Sequence, residues 1–558
     1  MSIPELLPDL LINAAKNFPY HGVGYVRPNG SIHFDTYPEL LDKAKRILQG
    51  FYLTGVTKGD KIILSLTDCE EIIPIIWACF IGSIVPALLQ PPFTFTEYNP
   101  AAEKAQKIYK ILQDPWVILS HEHLKSWSNS GIPESRLLDV LALSREHPVL
   151  DFPEQNPDDL ALIQFSSGST GDPKGVMLSH RNIIINTADI ITGLEMKPED
   201  VITSWMPLYH DMGLIGFHIS PLHCGASNYL INTMDFVKNP PLWLDMMSEI
   251  GTSISGCPNF GQMLVNRSVK RRKQGDWDLS HLRVVFNAAE PISVPIMSDF
   301  IHNLSEFNLR PEAMFPAYGL AEATLAVTFA PLEEEAGVIR FQRISLLRDG
   351  LAVVADQEDD NVIELVNLGR PLLHCRVKIT NDSGADVGER VVGSVKVSGE
   401  NASVGYYRNR EVTEQTFQDG WLHTGDLGFL LNGDLFIMGR LKDVIFVNGI
   451  NFYAHDLETV THSIEGIISG KVVIAGYFDE KEGRDKLLIF LVGSDNEATR
   501  ETFLKIRNHL KNTLGLHPDT FIPIRSKDIP RTSSGKIQRY KMVNRFLQGE
   551  FSSGMLIV

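Results

Sequence analysis

The chain has 558 residues, which is too long for one ordinary domain. Apolar residues make up 44% and charged residues 21%, the balance of a soluble globular protein. Lys+Arg number 51 against 68 Asp+Glu, a net charge of −17, which excludes a general nucleic-acid binder but leaves room for a nucleotide held by a few lysines and backbone amides.

In chain order, the start "MSIPELLPDLL" lacks a basic stretch followed by an apolar core, so no secretory leader is expected. The uncharged run "IIPIIWACFIGSIVPALL" (72–89) reaches the length of a membrane span. Gly82-Ser83 and Pro86 interrupt it, so it reads as a buried helix followed by a short strand, and no integral membrane segment is expected. The five cysteines show no paired or zinc-like spacing, which suits reduced thiols and a cytoplasmic location.

"KIILSL" (61–66), "WVILS" (116–120), "LALIQFSS" (160–167) and "HLRVVFNAAE" (281–290) read as buried strands, with helical patterns at 36–51, 70–82 and 291–307. The fold class predicted is therefore α/β, with layered and largely parallel sheets over residues 1–440. Within it, 376–440 changes to short strands and turns, a small β-rich subdomain. Residues 441–558 form a small α+β domain of about a hundred residues, with strands near 444, 471 and 486 and a helix over 498–514.

"SSGSTGDPKG" (166–175) follows a buried strand. Its small residues let backbone amides turn toward an anion, and Lys174 adds a charge. It is not a Walker A loop, because Pro173 stands where that loop needs glycine. On residue types alone it fits a phosphate cradle and a surface turn equally well. A second loop of the same kind, "TSSGK" (532–536), carries Lys536.

"FSSGSTGDPKGVMLSH" (165–180) resembles the phosphate-loop signature of acyl-adenylating enzymes. The rest of that family's series follows in order: "MPLYHDMGLIG" (206–216), "GCPNF" (256–260), "FNAAEP" (286–291), "YGLAEAT" (318–324), "HTGDLG" (423–428), "GRLKD" (439–443) and "TSSGK". The resemblance spans nearly the whole chain. It implies that a carboxylate joins ATP to give acyl-AMP and pyrophosphate, with positioning, Mg²⁺ and lysine doing most of the catalysis.

By resemblance, Ser166, Ser167, Gly168, Ser169, Thr170, Gly171 and Lys174 hold the β- and γ-phosphates. Thr170 and Glu322 bind Mg²⁺, a cation that favours oxygen ligands. The backbone of Ala289, Glu290 and Pro291 and the ring of Tyr318, with Gly319, Leu320 and Ala321, flank the nucleotide. Asp426 accepts the ribose hydroxyls, Arg440 reaches the ribose or phosphate, His210 positions the carboxylate, and Lys536 bridges carboxylate and α-phosphate. Lys442 matches the hinge. This chain departs from common family patterns at Ala288, usually glycine, and at Ala321, often threonine.

The resemblance is strongest to fatty acyl-AMP ligases, in "PLYHDMGLIG", "YGLAEATL" and "CPNF". It implies a fatty acid substrate and the phosphopantetheine thiol of an acyl carrier protein as acceptor, with coenzyme A as the alternative. Residues 331–368 resemble the insertion by which those ligases anchor their C-terminal domain. The segment holds nine acidic and three basic residues, and its strand-like pieces "GVIRFQRISLL" and "LAVVAD" are expected to form a hairpin against the large domain. A basic cluster, "VKRRK" (269–273), fits either a steering patch for an acidic carrier or a solvated helix end. An amino-acid adenylation domain would place an acid near Asp235 for the substrate ammonium, but the residues around it fit that pattern poorly.

Overall fold

The computed structural model describes residues 4–551 apart from 93–94, 96–98, 146, 168–171, 272–275, 448–449, 469, 481 and 532–536; of Pro100, Ser167 and Arg271 it describes the backbone alone. The largest sheet has nine strands. Six run parallel, from Gly22–Val26 through Ser227–Ile231, Val201–Ser204, Ile254–Gly256 and Val284–Asn287 to Met314–Gly319. Antiparallel strands close both edges. A second, all-parallel sheet orders Val85–Leu88, Lys61–Ser65, Trp116–Leu119 and Leu137–Asp139. Parallel sheets need cover on both faces, which is why their strands are short continuous apolar runs.

Local signals account for the helices between them. Thr36 and Glu39 form a reciprocal capping box ahead of the helix Tyr37–Thr54, and Gly55, at φ 89°, ends it. The helix Cys69–Ile81 is capped by Asp68, and every residue from Ile72 to Ile81 is buried. It is followed by the strand Val85–Leu88, so the apolar run at 72–89 is a core helix and strand. Among the described residues, no helix is long and apolar enough to cross a membrane.

One expected element differs. "LALIQFSS" is a strand, Leu160–Ser167, but it pairs antiparallel with Pro173–Ser179, so the two flanks of the 166–175 stretch are the arms of a hairpin. Pro173 stands at the strand's first position, where a missing amide costs least.

The β-rich stretch is a five-stranded antiparallel sheet: Cys375–Thr380, Gly393–Gly399, Trp421–Leu431 and Phe417–Gln418 in order, with Asp434–Arg440 paired to the long third strand. Beyond Arg440 come the hairpin Val444–Val447/Ile450–Tyr453 and a sheet of Val472–Asp479, Arg484–Val492 and Thr520–Ile524. The helices Ala454–His462, Glu497–Leu514 and Arg539–Leu547 accompany them.

The insertion corrects the expectation for it. Its hairpin pairs Val338–Gln342 with Val362–Val366, not with "LAVVAD", which contributes two isolated bridges, Phe341 to Val354 and Leu351 to Val391. "RISLLR" is a helix, Arg343–Arg348. The hairpin packs on the β-rich sheet, where Phe341 meets Phe429 and Phe436 edge-on with centroids 5.2 and 5.6 Å apart. One continuous core joins Phe341, Leu346 and Leu347 of the insertion, Phe429 and Phe436, and Phe452, Leu457, Ile489 and Phe503 of the C-terminal region. A buried ion pair crosses the same contact, Arg343 to Asp456, with side chains 7% and 8% exposed. Arg343 also donates from Nη2 to the Val362 carbonyl at 2.5 Å.

Candidate active site

A cavity of about 1170 Å³ lies where these parts meet, lined by the phosphate hairpin, the His210 turn, the 288–296 loop, the ends of two strands at 317–326 and 423–426, the insertion strand and the C-terminal region.

At one end, three side chains form a closed network. Asp426 and Arg440 face each other across paired strands. Arg440 Nε donates to Asp426 Oδ1 at 2.8 Å, and Tyr318 Oη donates to Oδ2 at 2.6 Å. Burial, then the Asp426 charge, pushes the Tyr318 hydroxyl well above 10, so it stays a donor. Asp426 in turn raises Arg440 above its ordinary value. Gly319 permits the turn out of the Tyr318 strand, since a Cβ there would stand 1.8 Å from the Leu325 carbonyl. Backbone follows at 288–291, with Ala289 at φ +77°, a left-handed conformation costing about 1–3 kcal/mol. Asn259 of the "CPNF" motif clamps it: Nδ2 donates to the Pro291 carbonyl at 2.8 Å, and Oδ1 accepts the Ser293 amide at 3.1 Å. The Phe260 amide donates to Glu290 Oε1 at 3.3 Å.

The other end carries the charged groups. Ser166 and Lys174 face each other in the hairpin register and both line the cavity. Lys174 Nζ lies 5.3 Å from the Tyr406 ring, and Tyr406 Oη donates to Glu322 Oε1 at 2.8 Å. Burial, then Glu322, raises the Tyr406 hydroxyl. Glu322 also lines the cavity, and its Oε2 makes no hydrogen bond or ion pair with a described residue, which leaves an oxygen donor of the kind a hard cation takes. Among the described residues, no group of three or more His, Cys, Asp or Glu could hold a metal by itself. Tyr406 was not anticipated from sequence: 84 residues separate it from Glu322, and only the fold joins them.

His210 lies between these ends. Its Nδ1 is 2.6 Å from Asp211 Oδ1 and accepts from the Met212 amide at 3.3 Å. Gln164 of the hairpin strand donates to the Tyr209 carbonyl at 2.7 Å and ties the turn down. A π-helix, Met212–Ile219, follows it, a form often found at functional sites. Gly213 is required there, because a Cβ would meet the Pro207 carbonyl at 2.3 Å. From this helix an apolar branch of the cavity runs along Met212, Gly216 and Phe217 to Ile190, Phe286, Leu325 and Phe329. Phe286 sits 6.0 Å from Phe217 and 5.5 Å from Phe329, ring to ring.

Of the other expected residues, Ala289, Glu290, Pro291, Leu320 and Ala321 line the cavity, and Asp235 does not. Lys442 occupies a one-turn helix, Leu441–Asp443, with Nζ 5.9 Å from the Tyr540 ring. Burial lowers its pKa. Lys536 lies outside the described residues, as do Gly168, Ser169, Thr170 and Gly171, and of Ser167 only the backbone is described. The flanks of 532–536 are described: Arg531 and Ile537 bridge each other and both line the cavity, and Arg531 feels the Glu290 carboxylate across it. In the basic cluster, Lys270 pairs with Asp299 at 3.2 Å; the Arg271 side chain and residues 272–275 are outside the description.

Comparison with known proteins places this geometry. A family model, "AMP-binding enzyme", matches residues 17–407. A medium-chain-fatty-acid–[acyl-carrier-protein] ligase of Moorena producens is 34% identical over 92% of this chain and 90% of its own. A fatty acyl-adenylate ligase structure, from work on the enzymes of E. coli and L. pneumophila, covers 98% of both chains at 28% identity and a TM-score of 0.89. A fatty acyl-adenylate ligase of L. pneumophila in complex with acyl adenylate and pyrophosphate covers 98% of this chain and 96% of its own, at 28% identity and a TM-score of 0.74.

Proposed function

This chain belongs to the AMP-binding enzyme family, and from that premise we propose that it is an ATP-dependent fatty acyl-AMP ligase that passes its acyl group to the phosphopantetheine thiol of an acyl carrier protein. The observation that carries this is a single cavity holding the phosphate hairpin, the Tyr318–Asp426–Arg440 network and an apolar branch. The named neighbours, a fatty-acid–carrier-protein ligase and a ligase holding acyl adenylate, support the same substrate class.

In this reading the fatty acid lies in the apolar branch with its carboxylate beside His210, whose Nε2 and fixed ring orient the approach. Asp426 accepts from the ribose, and Arg440 and Tyr318 hold that carboxylate in place. The hairpin, through Ser166 to Gly171 and Lys174, takes the phosphates. Mg²⁺ held by Glu322 and Thr170 would neutralise phosphate charge. The carboxylate oxygen bonds to the α-phosphorus, and the α–β bridging bond breaks with its electron pair leaving on pyrophosphate. Lys536 stabilises the charge gathered at the α-phosphate, an interaction that strengthens toward the transition state. No general base is needed, since the nucleophile is already ionised.

Residues 441–558 form a lid in this proposal, turning at Lys442 to withdraw Lys536 and admit the thiol. The insertion restrains that motion through Arg343–Asp456 and the shared core, which disfavours coenzyme A as acceptor. Reduced, mostly buried cysteines fit a cytoplasmic enzyme.

ATP–pyrophosphate exchange with a panel of carboxylates tests the first half-reaction. Exchange is expected with fatty acids and not with amino acids; no exchange with any acid would contradict the reading.

A further inference from the structure

Where Cys375–Thr380, Gly393–Gly399 and Trp421–Leu431 run side by side, the β-rich sheet has a packed face and an open one. Val377, Ile379, Val395, Val397 and Leu422 pack inward. The side chains that alternate with them share the other face: Arg376 and Lys378 on the first strand, Lys396 on the second, Trp421 and His423 on the third. Arg376 is exposed and the other four are half-buried. The register sets Lys378 directly opposite Lys396, and Lys396 directly opposite His423. Arg376 Cζ lies 5.6 Å and Lys378 Nζ 4.2 Å from the centre of the Trp421 ring.

Like charges directly opposite on neighbouring strands cost stability. The acids nearby offset them in part. Asp386, its side chain 67% exposed, reaches Lys378 at 3.4 Å, and the Asp419 charge acts on His423. Lys396, the cross-strand neighbour of both Lys378 and His423, makes no hydrogen bond or ion pair with a described residue. Such a basic face runs against the net charge of −17. Arginine and lysine held over a tryptophan ring also have the composition of a protein-binding hot spot. The face meets the cavity at His423, which lines it together with Thr424 and Gly425.

We propose that this face docks the acyl carrier protein, an acidic surface of the carrier lying across Arg376, Lys378 and Lys396 with an apolar side chain on Trp421. This rests on the carrier-protein reading above and adds where the carrier sits. Charge selects the partner. Carrier proteins are acidic, as this chain is overall, so a basic face is where the two attract and not repel. Position fits the task, because a carrier seated here lies beside the cavity that its arm must enter. All the face's residues precede the hinge at Lys442, so it stays in place while residues 441–558 turn.

The test compares wild type, the double variant Arg376→Glu/Lys396→Glu and the conservative Lys396→Arg, using a phosphopantetheine-loaded acyl carrier protein that the wild type loads. At low salt the KM for the carrier should rise about tenfold in the double variant and stay at the wild-type value in Lys396→Arg, and high salt should narrow the gap to less than about twofold. ATP–pyrophosphate exchange, and acyl transfer to free phosphopantetheine, should change by less than about twofold, since neither needs the carrier's surface. An unchanged carrier KM at low salt would overturn the docking face. So would an equal loss in exchange or in transfer to free phosphopantetheine, which would mark a structural role, and so would a raised KM for coenzyme A with that for the carrier unchanged. A wild type that forms acyl-AMP but loads no carrier from a panel would overturn the carrier-protein reading itself, and the docking face with it.

Discussion

The two ends of the cavity are built differently. The end proposed to take the nucleoside is complete within the protein: Asp426 is held by Tyr318 and Arg440 from paired strands, and Asn259 clamps the 288–291 backbone. The end proposed to take the triphosphate is assembled from separate segments, the hairpin, the Glu322–Tyr406 pair and the C-terminal region. The contrast follows the chemistry. The AMP portion stays bound through both half-reactions, so a rigid site serves it throughout. The β- and γ-phosphates must be held and then released, which suits groups that a domain movement can take apart.

Breaking the movable end should give the largest and most selective effect. Lys536→Ala is expected to lower acyl-AMP formation by about a hundred- to a thousandfold, the range for removing a donor aimed at transition-state charge. Thioester formation from supplied acyl-AMP should change only a few-fold. Rapid-quench assays of the two steps distinguish them, and equal loss in both would erase the proposed division of labour.

The rigid end should fail without such selectivity. Asp426→Ala removes the acceptor proposed for the ribose and leaves Tyr318 Oη and Arg440 Nε without theirs. About a hundredfold loss is expected in both half-reactions, from hydrogen bonds to a charged group worth about 1.5–3 kcal/mol each. Steady-state measurement of each step checks this, and a loss confined to one would blur the distinction between the ends.

A third change sharpens how the lid is restrained. Asp456→Ala leaves the Arg343 guanidinium buried and uncompensated, which costs about 3–5 kcal/mol when such a pair is broken. The lid contact should loosen, seen as faster proteolysis near residues 441–443, and coenzyme A should become a better acceptor by severalfold. Deleting 331–368 should act in the same direction. A folded deletion variant with unchanged coenzyme A activity would remove the insertion from acceptor choice.

The effect expected of pH falls on stability and not selectively on either half-reaction. Burial holds His180 and His223 near 4 and His218 near 3, below the 6.5 of a free imidazole. The unfolded chain takes up protons as the pH falls through 6.5, while the folded chain does not until about 4 or below. Stability is therefore present above pH 6.5 and lost below it, by about 1.4 kcal/mol per pH unit for each histidine. At pH 5 this amounts to about 2 kcal/mol each, read as a lower urea midpoint. His455, on the lid side of the cavity, is held near 4 by the same cause, so the two regions should weaken together. A midpoint unchanged between pH 7 and pH 5 would contradict these assignments.

Much of this was visible in the chain itself. Leu160–Ser167 and Glu497–Leu514 match the apolar run and the helical period that foretold them, because local burial dictates both. What stayed hidden was set by distant partners. Residues 173–175 read as the end of the 166–175 loop, since Pro173 and Gly175 disguise the start of the strand Pro173–Ser179, which pairs with Leu160–Ser167. "LAVVAD" looks like a strand, but Leu351 and Val354 are exposed, and the better register goes to Val362–Val366. Tyr406, Arg343 and Asp456 meet partners 84 and 113 residues away, a spacing that no periodicity encodes.

The central claim is tested most directly by offering the full-length enzyme a fatty acid, ATP and Mg²⁺, with either coenzyme A or a phosphopantetheine-loaded acyl carrier protein, and weighing the products by mass spectrometry. Acyl-AMP should form in both mixtures, and the acyl thioester should accumulate on the carrier and hardly at all on coenzyme A. Acyl-coenzyme A as the main product would contradict the acceptor assignment, and a mixture containing neither acyl-AMP nor thioester would contradict the account at its root.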